Sequence, residues 1–224
     1  MSGGRPFQWL LQAIVRDDHA RVKELLEAEP TLATRRVETA FLDPKLSHWI
    51  YAGDTALHVA AAGYRVESAR MLVKAGAEVC ASGFHRHAQP LHYACNGVPG
   101  ANHVAQVAMI RFLLDAGGDL HARDKNGATP LHNAVRTRCA DAVSLLLESG
   151  ADPKAPNKPG STPFHLSVQN TGRGGSGAKA ARTAQRKIIC AFLDHGLSPQ
   201  LLDARGKSVL EWARGSNTAL FKSK

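Results

Sequence analysis

The chain has little of several things. Only four of its 224 residues are cysteine, Cys80, Cys95, Cys139 and Cys190, and none forms a C-x-x-C pair. Reduced, buried thiols in a cytoplasmic protein are the simplest reading. No apolar run approaches the roughly 20 residues of a membrane helix, so no membrane association is expected. The short apolar run "WLLQAIV" is followed at once by "RDD" without a small-residue cleavage site, and a signal peptide is not expected. Aromatic residues make up only 6% of the chain. Acidic residues are scarce in the last third: residues 151–224 hold 12 Lys and Arg against 4 Asp and Glu, whereas residues 1–150 hold 16 against 15. The net charge of +9 therefore belongs to the C-terminal third. Such a field favours an anionic partner or an acidic protein surface. Binders of single-stranded nucleic acid interleave aromatics with basic residues. The basic third lacks that pattern, and nucleic acid is a disfavoured partner.

What is present in quantity is a repeat. "TALHVA" at Thr55, "QPLHYA" at Gln89, "TPLHNA" at Thr129 and "TPFHLS" at Thr162 share one pattern. Each leads to an apolar pair and a glycine, in "MLVKAGAEV", "FLLDAGGDL", "LLLESGADP" and "AFLDHGLSP". A Thr suits a helix N-cap and Pro its first turn. The glycine ends a second helix in a left-handed conformation. No single unit can cover its apolar face, so neighbours must stack. This pattern resembles the ankyrin repeat, with its T-P-L-H-x-A signature and period of about 33 residues. The resemblance implies an all-α solenoid of stacked helix-turn-helix units with hairpin loops. It covers nearly the whole chain as a single domain, 1–224. Repeats fall at 53–86, 87–126, 127–159 and 160–206. Weaker copies at 7–36 and 207–224 read as caps, with Leu11 and Glu211 where the signature His would stand.

Three insertions depart from the family pattern. His58 lies 14 residues before Leu72, and His132 lies 14 before Leu146. His92 lies 21 before Leu113 and His165 27 before Phe192, so both of these units are enlarged between their two helices. A third insertion makes 37–52 a long hairpin between the N-terminal cap and the first repeat. Loops longer than about 12 residues in a compact domain tend to be functional or disordered.

One insertion contains G-x-G-x-x-G at Gly172, Gly174 and Gly177, followed by Lys179. A dinucleotide fingerprint needs a preceding strand and a Walker loop needs G-K-[ST]. Here the preceding segment is a repeat's first helix and the text reads "GAKA". What survives is an inter-helix turn before a helix N-terminus near Ala178, which either binds an anion or serves as a plain glycine linker. The signature histidines His58, His92, His132 and His165 stand one per unit and cannot converge on one metal ion. The resemblance implies that each bonds locally to backbone. His85 and His87 read as a surface pair, and no metal or cofactor is expected. Cys95 and His92 share a helical face, but the Cys95 position is a packing position in the repeat. No catalytic constellation stands out, and the chain is not expected to be an enzyme.

The expected function is non-catalytic molecular recognition by a monomer. The resemblance implies binding of a protein partner through hairpin tips and the concave face, at His48, Trp49, Tyr51, His85 and Arg86. Trp49 and Tyr51 either anchor that partner or fold back over the first repeat. The alternative is a small anion or phosphate-bearing ligand, nucleic acid included, at the inter-helix edge of repeats 2–4. Its candidates are Arg136, Arg138, Arg173, Asn96, Asn102, His103, Asn170, Gly174 and Gly175. Those arginines could instead clasp the glycine-rich turn. Lys179, Arg182 and Arg186, spaced by three and four, are expected to form one basic helical face.

Overall fold

The computed structural model describes residues 4–46, 48–97, 102–169 and 179–213, with Thr218 and Phe221. Among them the regular structure is helical, α except for one 3-10 turn at Pro30–Ala33, with isolated β-bridges and no strand. The N-terminal cap is α1 (Gly4–Arg16) and α2 (His19–Ala28). Four helix pairs follow: α3 (Ala56–Ala62) with α4 (Val66–Lys74), α5 (Pro90–Ala94) with α6 (His103–Asp115), α7 (Pro130–Arg136) with α8 (Ala140–Glu148), and α9 (Pro163–Ser167) with α10 (Lys179–Asp194). A short α11 (Val209–Trp212) closes the array. The first helices stack on one another and so do the second helices, giving two layers around one core that runs from Phe7 to Ala213.

The signature histidine explains why each unit begins where it does. The His58 Nδ1 accepts the Thr55 amide at 3.0 Å, and the His132 Nδ1 accepts that of Thr129 at 3.1 Å. The Nε2 atoms of His58, His92, His132 and His165 reach the carbonyls of Ala88, Ala128, Ser161 and Lys207, each at 3.1 Å. A carbonyl can only accept, so the Nε2 carries the proton and the Nδ1 the lone pair. Each ring must therefore stay neutral. Burial pushes the pKa of His58 down to about 3 and that of His132 to about 4, and lowers those of His92 and His165. At the C-terminal end Glu211 takes over this task, its Oε2 accepting the Ser208 amide at 2.6 Å and hydroxyl at 2.8 Å.

Sequence spacing places two insertions between helices, but part of each is helix. α6 has 13 residues and α10 has 16, against 9 in α4 and α8. α5 and α9 are meanwhile only 5 residues long, against 7 in α3 and α7. A shortened first helix leaves carbonyls at its end that need donors. One residue type supplies them in both enlarged units. Gln106, seven residues before Leu113, donates its Nε2 to the Ala94 carbonyl at 3.0 Å. Gln185, seven before Phe192, donates to Ser167 at 2.8 Å and Gln169 at 2.7 Å. In the ordinary units this register holds Arg65 and Cys139, the N-cap residues of α4 and α8.

Candidate binding edge at the hairpin tips

The connections between units line up along one edge. Backbone bonds tie tip to tip: Lys125 N to the Arg86 carbonyl at 2.7 Å, Lys158 N to Asn126 at 2.9 Å, and Ala204 N to Gly160 at 3.0 Å. Each tip turns through one left-handed residue, Gly53, His87, Gly127, Gly160 or Gly206. Glycine enters that region without steric cost; at His87 a side chain occupies it.

The long hairpin is closed by paired bonds between Phe41 and Ile50, both 2.9 Å, and between Val37 and the 53–54 segment. Leu46 and Ile50 drop into the core. Beneath the hairpin Asp54 is buried, and its Oδ2 accepts the Tyr51 amide at 2.8 Å and the Tyr93 hydroxyl at 2.6 Å. Burial raises the Asp54 pKa, and these two donors oppose the rise. A side chain at Gly83 would collide with the other Asp54 oxygen, so this carboxylate requires glycine there.

The expected partner-binding residues gather above Asp54. Tyr51 and His85 stack in parallel at 4.8 Å, and the Arg86 guanidinium lies 5.8 Å from the Tyr51 ring. His48 sits edge-on to Tyr93 at 4.9 Å, and its Nε2 meets Arg86 Nη1 at 3.4 Å. Arginine can only donate, so the His48 proton lies on Nδ1, 2.6 Å from the Trp49 carbonyl. Burial, and to a smaller degree the Arg86 charge, lowers the His48 pKa. The two roles open to "WIY" are thus divided: His48, Ile50 and Tyr51 fold back, while Trp49 remains 49% exposed. Sequence reasoning missed Phe84, which is 65% exposed. Its ring packs on Gly53 and lies 4.7 Å beneath the Arg36 guanidinium. An aromatic beside His85 and Arg86 in a chain poor in aromatics was the available signal.

The anion candidates do not form one group. Asn170, Arg173, Gly174 and Gly175 lie outside the described residues. Arg136 leaves the inter-helix edge: its Nη2 meets the Asn133 side chain at 3.4 Å, and its charge is felt at His48. Asn96 is buried and its carbonyl accepts the Tyr64 hydroxyl at 2.9 Å. Asn102 caps α6 through the Ala105 amide at 3.1 Å. Arg138, in a left-handed conformation, donates to the Gln169 carbonyl at 3.1 Å, the geometry of a clasp on the segment leading into the insertion. Arg138 and His103 do share a groove of about 570 Å³ with Lys179, Thr183 and Lys187. Arg182 and Arg186 are exposed but do not line it, so the basic face expected of α10 is split. Cys95 is fully buried and its thiol pKa is pushed up by burial, which suits packing. Among the described residues no group of three His, Cys, Asp or Glu could hold a metal, and no helix is long and apolar enough to cross a membrane.

Comparisons with known proteins agree with this geometry. A family profile for ankyrin repeats in three copies matches residues 100–176, and one for a single ankyrin repeat matches residues 52–83. No curated protein matches the chain. The same cap, histidine bond and helix pair recur in all four units, including α5, which neither match covers. The chain belongs to the ankyrin-repeat family.

Proposed function

We propose that the protein is a non-catalytic recognition scaffold whose hairpin tips grip a protein partner. One observation carries this reading. Of the large apolar side chains left exposed among the described residues, Leu42, Trp49, Phe84 and Leu202 stand on hairpins of a single edge. From Arg86 onward that edge is tied from unit to unit by backbone bonds, and the long hairpin is joined to it through Arg36 on the Ser82 carbonyl at 2.9 Å, so apolar anchors held there lose little freedom on binding. Trp is prominent among residues that dominate interfaces. Ankyrin arrays generally serve as protein-binding scaffolds, an analogy from fold that supports the class of function without naming a partner. The first-helix face contributes beyond the second repeat, because the chain's own hairpin already covers Tyr93.

Capture from a lysate of the source cells tests this, comparing wild type, Trp49→Ala with Phe84→Ala, and Val104→Ser on the opposite edge. The expected result is a partner held by wild type and Val104→Ser and weakened about thirtyfold in the tip variant, as loss of an interface anchor implies. Capture indifferent to the tips would sink the reading. The groove lined by Arg138, Lys179 and Lys187 favours a second reading, binding of a phosphate or carboxylate anion at the inter-helix edge. Calorimetry with inorganic phosphate should then give heat with wild type and none with Lys179→Ala plus Lys187→Ala. Absence of heat from wild type at millimolar phosphate ends it.

A further inference from the structure

The hairpin tips from the second repeat onward carry an uncompensated charge pattern. Arg86, Lys125, Lys158 and Arg205 stand at adjacent tip positions, one per hairpin. Lys125, Lys158 and Arg205 are exposed and Arg86 is partly so. No ion pair among the described residues engages any of the four. The same hairpins contain carboxylates, and apart from the exposed Glu78 they are turned onto the backbone. Asp119 accepts the His121 amide and Asp152 the Lys154 amide, both at 2.8 Å. Asp124 accepts the amides of Asn126 and Ala128, and Asp203 those of Arg205 and Lys207. The aspartates are consumed in shaping the turns, while Lys125 and Lys158 face solvent, Arg205 rests on the Pro159 carbonyl and Arg86 lies against Tyr51 and His48.

The row is also rigid. The tip-to-tip backbone bonds fix its spacing, and Arg205 is further held by the Pro159 carbonyl at 3.0 Å. Apolar side chains flank it, Phe84 at one end and Leu202 at the other. A preorganised row of like charges suits an extended chain of opposite charge with apolar residues at its ends. We propose that this edge docks an acidic, extended segment of a protein partner in register with the repeats. Helix layers are spaced about 8–10 Å apart, and an extended chain advances about 3.3–3.6 Å per residue. A carboxylate at every third residue therefore meets one cation per unit, and the four cations span about ten residues.

The test is fluorescence anisotropy on the full chain with three labelled probes. One peptide of ten residues carries Glu at every third position, a second has the same composition with its Glu clustered, and the third probe is a short duplex DNA. At low salt the spaced peptide should bind in the micromolar range, at least tenfold better than the clustered one, and weaken as salt is added. Lys125→Glu with Lys158→Glu should weaken it about thirtyfold, while Lys187→Glu in the inter-helix groove changes it less than twofold. If the reversal variant does not fold, Lys125→Gln with Lys158→Gln should weaken the peptide about tenfold. No binding at millimolar peptide, equal binding of the clustered peptide, tighter binding of the duplex, or indifference to Lys125 and Lys158 would each overturn the proposal. It rests on the partner-binding role proposed above, yet the two fail separately. Indifference of capture to Trp49 and Phe84 ends that role; the peptide results end only the acidic register.

Discussion

The two edges of the array are built on different terms. At the hairpin edge each signature histidine reaches the next hairpin's carbonyl at the same distance, and the tips bond to one another in sequence. At the inter-helix edge the first helix is long or short, and the second runs from 9 to 16 residues. The difference separates what sets the stack from what the stack tolerates. Unit-to-unit geometry is fixed on the hairpin side, so the far side can lengthen, provided the carbonyls it frees find donors. Gln106 and Gln185 are those donors.

The largest expected effect strikes the hairpin edge through pH. Burial holds the folded-state pKa values of the four signature histidines below the ordinary 6.5, at about 3 for His58 and about 4 for His132. As pH falls below 6.5 the unfolded chain takes up protons first. The histidine contribution is therefore complete above pH 6.5, erodes below it, and is gone once the pH passes the folded values. His58 and His132 each lose about 1.4 kcal/mol per pH unit in that window. From these two rings urea unfolding should show a loss on the order of 4 kcal/mol between pH 7.5 and 5. An unchanged midpoint would mean that the rings are not buried neutral donors.

A single break at this edge comes next. His132→Ala leaves the Thr129 amide and the Ser161 carbonyl without their partner, and should cost about 3 kcal/mol in denaturant melts. The inter-helix edge should yield less. Gln185→Ala strands the buried Ser167 carbonyl but leaves the Gln169 carbonyl its bond from Arg138, and should cost about 1–2 kcal/mol. Hydrogen exchange should quicken at the start of α10 and stay unchanged in α7. A cost equal to that of His132→Ala would erase the distinction between the edges. The smallest effect is expected at the exposed tip: Trp49→Ala should shift stability by no more than about 0.5 kcal/mol. A shift of 2 kcal/mol would mark Trp49 as a supporting residue and remove it from the binding surface.

The fold was legible because its determinants are local and repeated. Thr and His three residues apart, an apolar pair and a glycine are chemical demands of one helix pair, and each appears several times. The roles of His48 and Tyr51 were less legible, because they depend on Tyr93 and Arg86, some 40 residues away, and no local spacing encodes that contact. Arg136 and Arg138 illustrate the limit. Two residues apart, both read as inter-helix cations, but helical rotation sends Arg136 towards Asn133 while the left-handed turn at Arg138 aims it at Gln169. The start of α10 at Lys179 was legible, one residue from the helix N-terminus read near Ala178, because alanine, lysine and arginine after the glycines are strong helix formers.

The histidine bonds all run the same way along the chain. Each joins a ring to a carbonyl that lies later in sequence, by 30, 36, 29 and 42 residues in turn. While the chain is being synthesised, a unit that has fully emerged still holds an imidazole N–H with no acceptor. It is completed only when the following hairpin arrives. Assembly during translation therefore trails synthesis by about one unit, and the last signature histidine, His165, waits for Lys207. A truncation within the final hairpin would leave His165 in the state of an unfinished nascent chain, with the earlier three rings already closed.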